Sequence, residues 1–163
     1  MEISPERVAS EAAWVHDRAD EVVPIINETR ARLGELFETD VGRVSTEAYR
    51  EEVATVFADG DVAVNAAAYV ALLRGLDVDG DYPGFVVDEV LGRELAATIA
   101  GGTPLSLLAQ ATFHFADVST HSEGGAGIDD LDAALAAGFQ TRLPGWNWQE
   151  TESPFAVDRD RLR

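Results

Sequence analysis

The amino-acid sequence predicts an all-α protein. The expected form is a single-domain bundle of five to six helices, with a long, Pro-kinked N-terminal helix and an extended C-terminal tail. Three observations predict it. Apolar residues recur at steps of three and four along most of the chain, the repeat of a helix face. Those runs are punctuated by caps and breakers such as Ser4-Pro5, Gly101-Gly102 and Pro144-Gly145. No segment alternates apolar and polar residues with period two for long enough to read as a sheet strand.

The first helix is expected over residues 5–38. Ser4 caps it and Pro5 takes the first helical position, where a missing N–H costs nothing. Val8, Ala12, Val15, Ala19, Val22, Ile26, Thr29, Leu33 and Leu36 then form one heptad seam. Pro24 falls inside it and predicts a kink, because proline lacks a donor and crowds the turn before it. The second helix starts at Ser45 or Thr46 and carries Tyr49, Val53, Val56 and Phe57 on one side. Asp61 caps the third, which presents Val62, Ala66, Tyr69, Leu73 and Leu76. After the acidic turn "DVDGDYPG", the fourth helix runs from about 84 to 100 with Val87, Val90, Leu91, Leu95 and Ile99.

Thr103-Pro104 opens the fifth helix, which has two apolar stripes: Leu105, Leu108, Thr112, Phe115 and Ser119, and Leu107, Ala111, His114, Val118 and His121. A helix apolar nearly all round belongs at the centre of a bundle, so the others are expected to surround it. After the loop "SEGGAG", Asp129 or Asp130 is expected to cap the sixth helix, with Leu131, Leu135 and Phe139 inward. The division expected is a bundle domain at 1–143 and a tail at 144–163, rich in aromatic residues and arginine, packed across it.

Composition narrows the function. Among 163 residues there are 30 Asp and Glu, and the 12 basic residues are all arginine, giving a net charge of −18. A lysine-free, carboxylate-rich surface suits molar salt. There the Debye length falls to roughly 3 Å, repulsion is screened, and hydrated carboxylates keep a protein dissolved. The sequence therefore reads as a soluble cytoplasmic protein of an extreme halophile. Backbone-driven nucleic-acid binding needs a basic face and is disfavoured by this charge. The absence of cysteine removes disulfides, thiol nucleophiles and thiolate metal sites. No apolar run is long enough to span a membrane. No signature of a catalytic or cofactor site is present, and the reading leans away from an enzyme.

Three groups of residues remain as candidates. His114, Asp117 and His121 fall on one helical face and could offer two imidazoles and a carboxylate to a divalent metal, with His16 of the first helix as a fourth ligand. Against this stands the ordinary reading of a packed helix ending in a histidine that meets its terminal carbonyls. Asp77, Asp79, Asp81 and Asp88 echo a calcium loop, but Tyr82 stands where that loop needs glycine. Trp146, Trp148 and Phe155 either cover the open end of the bundle or anchor a partner.

The function expected first is binding through protein contacts, as an adaptor or chaperone. The partner is an unknown protein, or a second copy joined along the heptad seam. The alternative is a helical metalloprotein or metal-dependent enzyme. A weaker one is an acidic helix-turn-helix regulator, which requires Arg43, Arg50, Arg74 or Arg93 gathered on one face.

Overall fold

The computed structural model describes residues 1–76, 86–120 and 126–146, which form an all-α bundle of seven helices, not five to six. They are α1 (Pro5–Asp17), α2 (Ala19–Phe37), α3 (Thr46–Val56), α4 (Gly60–Gly75), α5 (Val86–Ala100), α6 (Leu105–Val118) and α7 (Ala126–Arg142).

The extra helix comes from the N-terminal segment. Ser4 caps α1 as expected, its hydroxyl accepting from the Arg7 N–H at 3.1 Å. The expected single helix over 5–38 is broken at Arg18 (φ −81°, ψ 6°), ahead of Pro24. Pro24 sits inside α2 without ending it. It lies on the exposed side, so the Asp20 carbonyl that it leaves without a donor belongs to a residue open to water. The break is set by tertiary packing. α1 lies against α3 and α4, whereas α2 lies against α7, α6 and α3. At the corner, the Arg18 guanidinium reaches the fully buried Asp132 of α7, its Nε donating to Oδ1 at 3.1 Å and its Nη2 to Oδ2.

The heptad seam is used by the chain's own core. Val15, Ala19, Val22 and Ile26 join one apolar cluster with Tyr49, Val70, Leu95, Phe113 and Phe139. Only the last seam residue, Leu36, is largely exposed. The surface on which a seam dimer was expected is thus enclosed within one chain.

The centre of the bundle is α7, not the helix expected there. It packs on α2, α3, α4, α5 and α6. Its middle is enclosed on every side: Leu131, Asp132, Ala133, Ala134, Leu135, Ala136 and Ala137 have no exposed surface. Small residues are the reason. Neighbouring helix axes lie about 8–10 Å apart, and the shorter the side chains at the contact, the closer they come. A Cβ added at Gly138 would sit 2.9 Å from Ile99 Cβ and 3.0 Å from the Ala96 carbonyl oxygen. Helix α6, richer in large apolar residues, is peripheral: it buries Ala109, Thr112, Phe113 and Ala116 and turns the Leu107–Val118 stripe outward.

Polar links lock the connections. Asn27 bonds the Val44 backbone in both directions, at 3.1 and 2.8 Å, holding the α2–α3 loop. Ser45 caps α3, accepting from Ala48 N–H at 3.1 Å. The caps expected at Asp61 and Thr103 are not made: the residues at the N-caps of α4 and α6 are Asp59 and Pro104, with no side-chain cap bond, and α7 begins at Ala126, so Asp129 and Asp130 lie within its first turns rather than at its cap. Tyr49 donates to the Val15 carbonyl at 2.8 Å and meets the Phe139 ring edge-on at 5.2 Å. No single helix among the described residues is long and apolar enough to cross a membrane.

Candidate partner-binding face

His16 and His114, the two histidines among the described residues, do not converge. His16 lies on α1, with Nδ1 3.1 Å from Asp17 Oδ1. His114 lies on α6 with its side chain 76% exposed, and its Nδ1 is 3.9 Å from Glu89 Oε1 on α5. Asp117 turns to another partner, the carboxyl of Asp130 on α7. His121 lies outside the described residues, as do Asp77, Asp79 and Asp81 of the acidic turn. Among the described residues no group of three or more His, Asp or Glu side chains could hold a metal ion. The metal reading therefore loses His16 and Asp117 as companions of His114.

The regulator reading meets a similar obstacle. Arg43 precedes α3, Arg50 is on α3, Arg74 on α4 and Arg93 on α5. Arg74 binds Glu11 at 2.7 Å and Arg93 lies 3.7 Å from Glu89. The four arginines are spread over separate segments rather than collected on one helix.

Trp146 is engaged inside the fold. It is only 4% exposed and packs with Leu33, Val41 and Phe115. Its Nε1 donates to the Gln140 carbonyl at 2.9 Å, and the Arg30 guanidinium lies 5.6 Å from its ring centroid. Trp148 and Phe155 lie outside the described residues.

Sequence reasoning missed the residue that holds this end together. Arg30 is 1% exposed, yet no carboxylate among the described residues faces it. Its Nη1 donates to the carbonyls of Gly42 and Pro144, both at 2.6 Å, and its Nη2 to those of Gln140 and Leu143 at 2.7 and 2.8 Å. A cation placed on the terminal carbonyls of α7 also meets the negative end of that helix's dipole. Burial pushes its pKa down to about 10, which leaves it charged at neutral pH. The sequence carries only a faint sign: an arginine one helical turn beyond Ile26, on the face of the helix that carries the apolar seam.

Four carboxyls gather where α5, α6 and α7 meet: Asp88 and Glu89 of α5, Asp117 of α6 and Asp130 of α7. Burial raises the pKa of Asp130 most, with Asp117, Asp88 and Glu89 adding repulsion and Asp117 a hydrogen bond, to about 7. Asp88 is buried, its Oδ2 without a hydrogen-bond partner among the described residues, and its pKa is also raised by burial.

Exposed apolar side chains occur on α2 (Leu36, Phe37) and α4 (Val64, Leu72), and on α5 and α6. Leu107 and Val118 are 59% and 60% exposed, and Val87 and Val90 are 54% and 42% exposed. Helices α5 and α6 form a hairpin closed by residues 101–104. The Glu89–His114 approach fixes its register, which brings Val87 and Val90 to the same end as Val118. The stripe Leu107, Ala111, His114 and Val118, expected inside, is therefore the outer wall of this hairpin.

No curated protein and no solved structure matches the chain. A family model described as a domain of unknown function does match, over residues 1–159, and by that match the chain belongs to the DUF7984 family.

Proposed function

We propose that this protein is a non-catalytic helical adaptor that binds another protein through the α5–α6 face, in the salt-rich cytoplasm of a halophile. The observation that carries the proposal is the pair of exposed valines on α5, Val87 and Val90, at the same end of the hairpin as Val118 of α6. In a chain with net charge −18, apolar side chains left in water at one end of one hairpin are the sites of contact that high salt does not weaken. Charge pairing between proteins loses its reach at a Debye length of roughly 3 Å, so recognition in molar salt rests on apolar area. The lysine-free acidic composition supports that solvent. The partner suited to such a wall is an apolar face of a second helical protein.

The test is affinity capture in molar KCl with the wild-type chain and with Val90→Asp and Val118→Asp. Both positions are exposed, so the fold is expected to persist. One protein captured in stoichiometric amount by the wild type and lost by both variants is the expected result. Identical capture by all three chains overturns the proposal. Light scattering of the purified chain identifies the partner as a second copy if a wild-type dimer becomes a monomer in either variant.

A further inference from the structure

A cleft between α1 and α4 stands apart from that face. It is broadly open to solvent, measures about 370 Å³ and is lined, among the described residues, by Arg7, Ser10 and Glu11 of α1 and by Ala71, Arg74 and Gly75 of α4. Each triplet has the i, i+3, i+4 spacing of one helix face, so two facing stripes build the walls. The hollow exists because Ser10, Ala71 and Gly75 are small. A Cβ added at Gly75 would meet nothing within 4 Å.

Among the described residues that line the cleft, the charges do not cancel. Glu11 is buried, and its two oxygens are shared between Arg7, with Nε 3.0 Å from Oε1, and Arg74, with Nη1 2.7 Å from Oε2. Two guanidiniums around one carboxylate leave one positive charge. This happens in a chain that has only 12 basic residues and a net charge of −18. Each guanidinium gives one contact to Glu11, out of about five N–H donors. Arg74 is further fixed by stacking, its guanidinium carbon 4.6 Å from the centroid of the Trp14 ring. A planar fork that is already oriented loses less entropy on binding an oxyanion.

We infer that this cleft binds a small phosphomonoester, its phosphate held between Arg7 and Arg74. A phosphate dianion has three free oxygens to divide between two forks, whereas Glu11 already takes the place of a carboxylate there. The volume falls within the range of small-molecule sites, about 300–1,000 Å³, and leaves room for an organic group beside the phosphate. Ser10 supplies a neutral donor on the wall. At molar salt the field of the whole acidic molecule is screened, and short guanidinium–phosphate contacts remain.

Isothermal titration calorimetry of the full chain in molar KCl, with glycerol 3-phosphate and with inorganic phosphate, tests this. Saturable binding is expected, weakened roughly 10-fold or more by Arg7→Gln and by Gly75→Leu. The second variant keeps every charge and fills the cleft from an open position, so it separates lost space from lost stability. The exposed Arg43→Gln is expected to bind as the wild type does. Tighter binding of the ester identifies an organic phosphate as the ligand, and equal binding identifies the free anion. No saturable heat with either compound up to about 10 mM, or wild-type binding by Gly75→Leu, overturns the inference.

Discussion

At the scale of single residues, two buried polar groups set testable limits on stability. Arg30 satisfies four carbonyls from two loops and a helix end, with no counter-ion among the described residues. Replacing it leaves those oxygens in a dry site without donors. Arg30→Met is expected to cost about 3–5 kcal/mol in a denaturant melt. Arg30→Lys is expected to fall between, because a compact ammonium cannot span both pairs of carbonyls. Equal stability of Arg30→Met and wild type would refute this role. Asp130 gives a prediction with a pH sign. Its folded pKa of about 7 lies above the ordinary 3.8, with burial first among the causes. The folded state then binds the proton more tightly between those values. The stability owed to that proton is complete below about pH 4 and is lost as pH rises through 7. Asp130→Asn is therefore expected to stabilise the protein at pH 8 by about 1 kcal/mol, a figure discounted for solvent screening of a half-buried group. At about pH 4 the variant and wild type should melt alike. A difference independent of pH would contradict the assignment.

At the scale of elements, close approach decides the arrangement more than apolar content does. Gly138 lets α7 touch α5, and a methyl group there meets Ile99 and the Ala96 carbonyl. Gly138→Ala gains helix propensity of about 1 kcal/mol. Overpacking costs about 1–3 kcal/mol, so the expected net effect is destabilising, read as a lower unfolding midpoint. A rise in the midpoint would show that the two helices can separate without loss. Gly145 is constrained differently. It adopts φ +113°, and a Cβ there would lie 2.9 Å from Arg30 Nη1 and 3.0 Å from the Gly42 backbone. The same principle explains why the N-terminal seam is legible in the sequence while its break is not. Val15, Ala19, Val22 and Ile26 announce a buried stripe. The corner at Arg18 depends on Asp132, far away in the chain, and Pro24 is the only local sign of a bend. The outward stripe of α6 is hidden for a related cause. Periodicity finds a stripe but does not say which of two stripes faces the core. The His114–Asp117 spacing on that helix is equally visible, yet only packing shows that Asp117 turns to Asp130.

At the scale of the whole molecule, the net charge of −18 governs the dependence on solvent. In about 0.1 M salt the Debye length is roughly 10 Å and like charges repel across the surface; in molar salt it is roughly 3 Å. The proposed halophilic setting predicts that raising KCl from about 0.1 M to about 3 M stabilises the fold by about 3 kcal/mol, or about 10 °C in Tm for a chain of this size. Scanning calorimetry over that range provides the check, and a flat or falling Tm would dismiss the setting.

The sequence by itself determined that the chain is helical, where most helices start, and how strongly its surface is charged. Those properties depend on neighbours within a few residues or on simple sums. Only the tertiary structure decided that α7 is the central helix, that the N-terminal seam bends at Arg18, and that Arg7 and Arg74 share one buried carboxylate. Each of these joins groups far apart in the chain, and each turns on steric fit, which spacing along one helix does not encode.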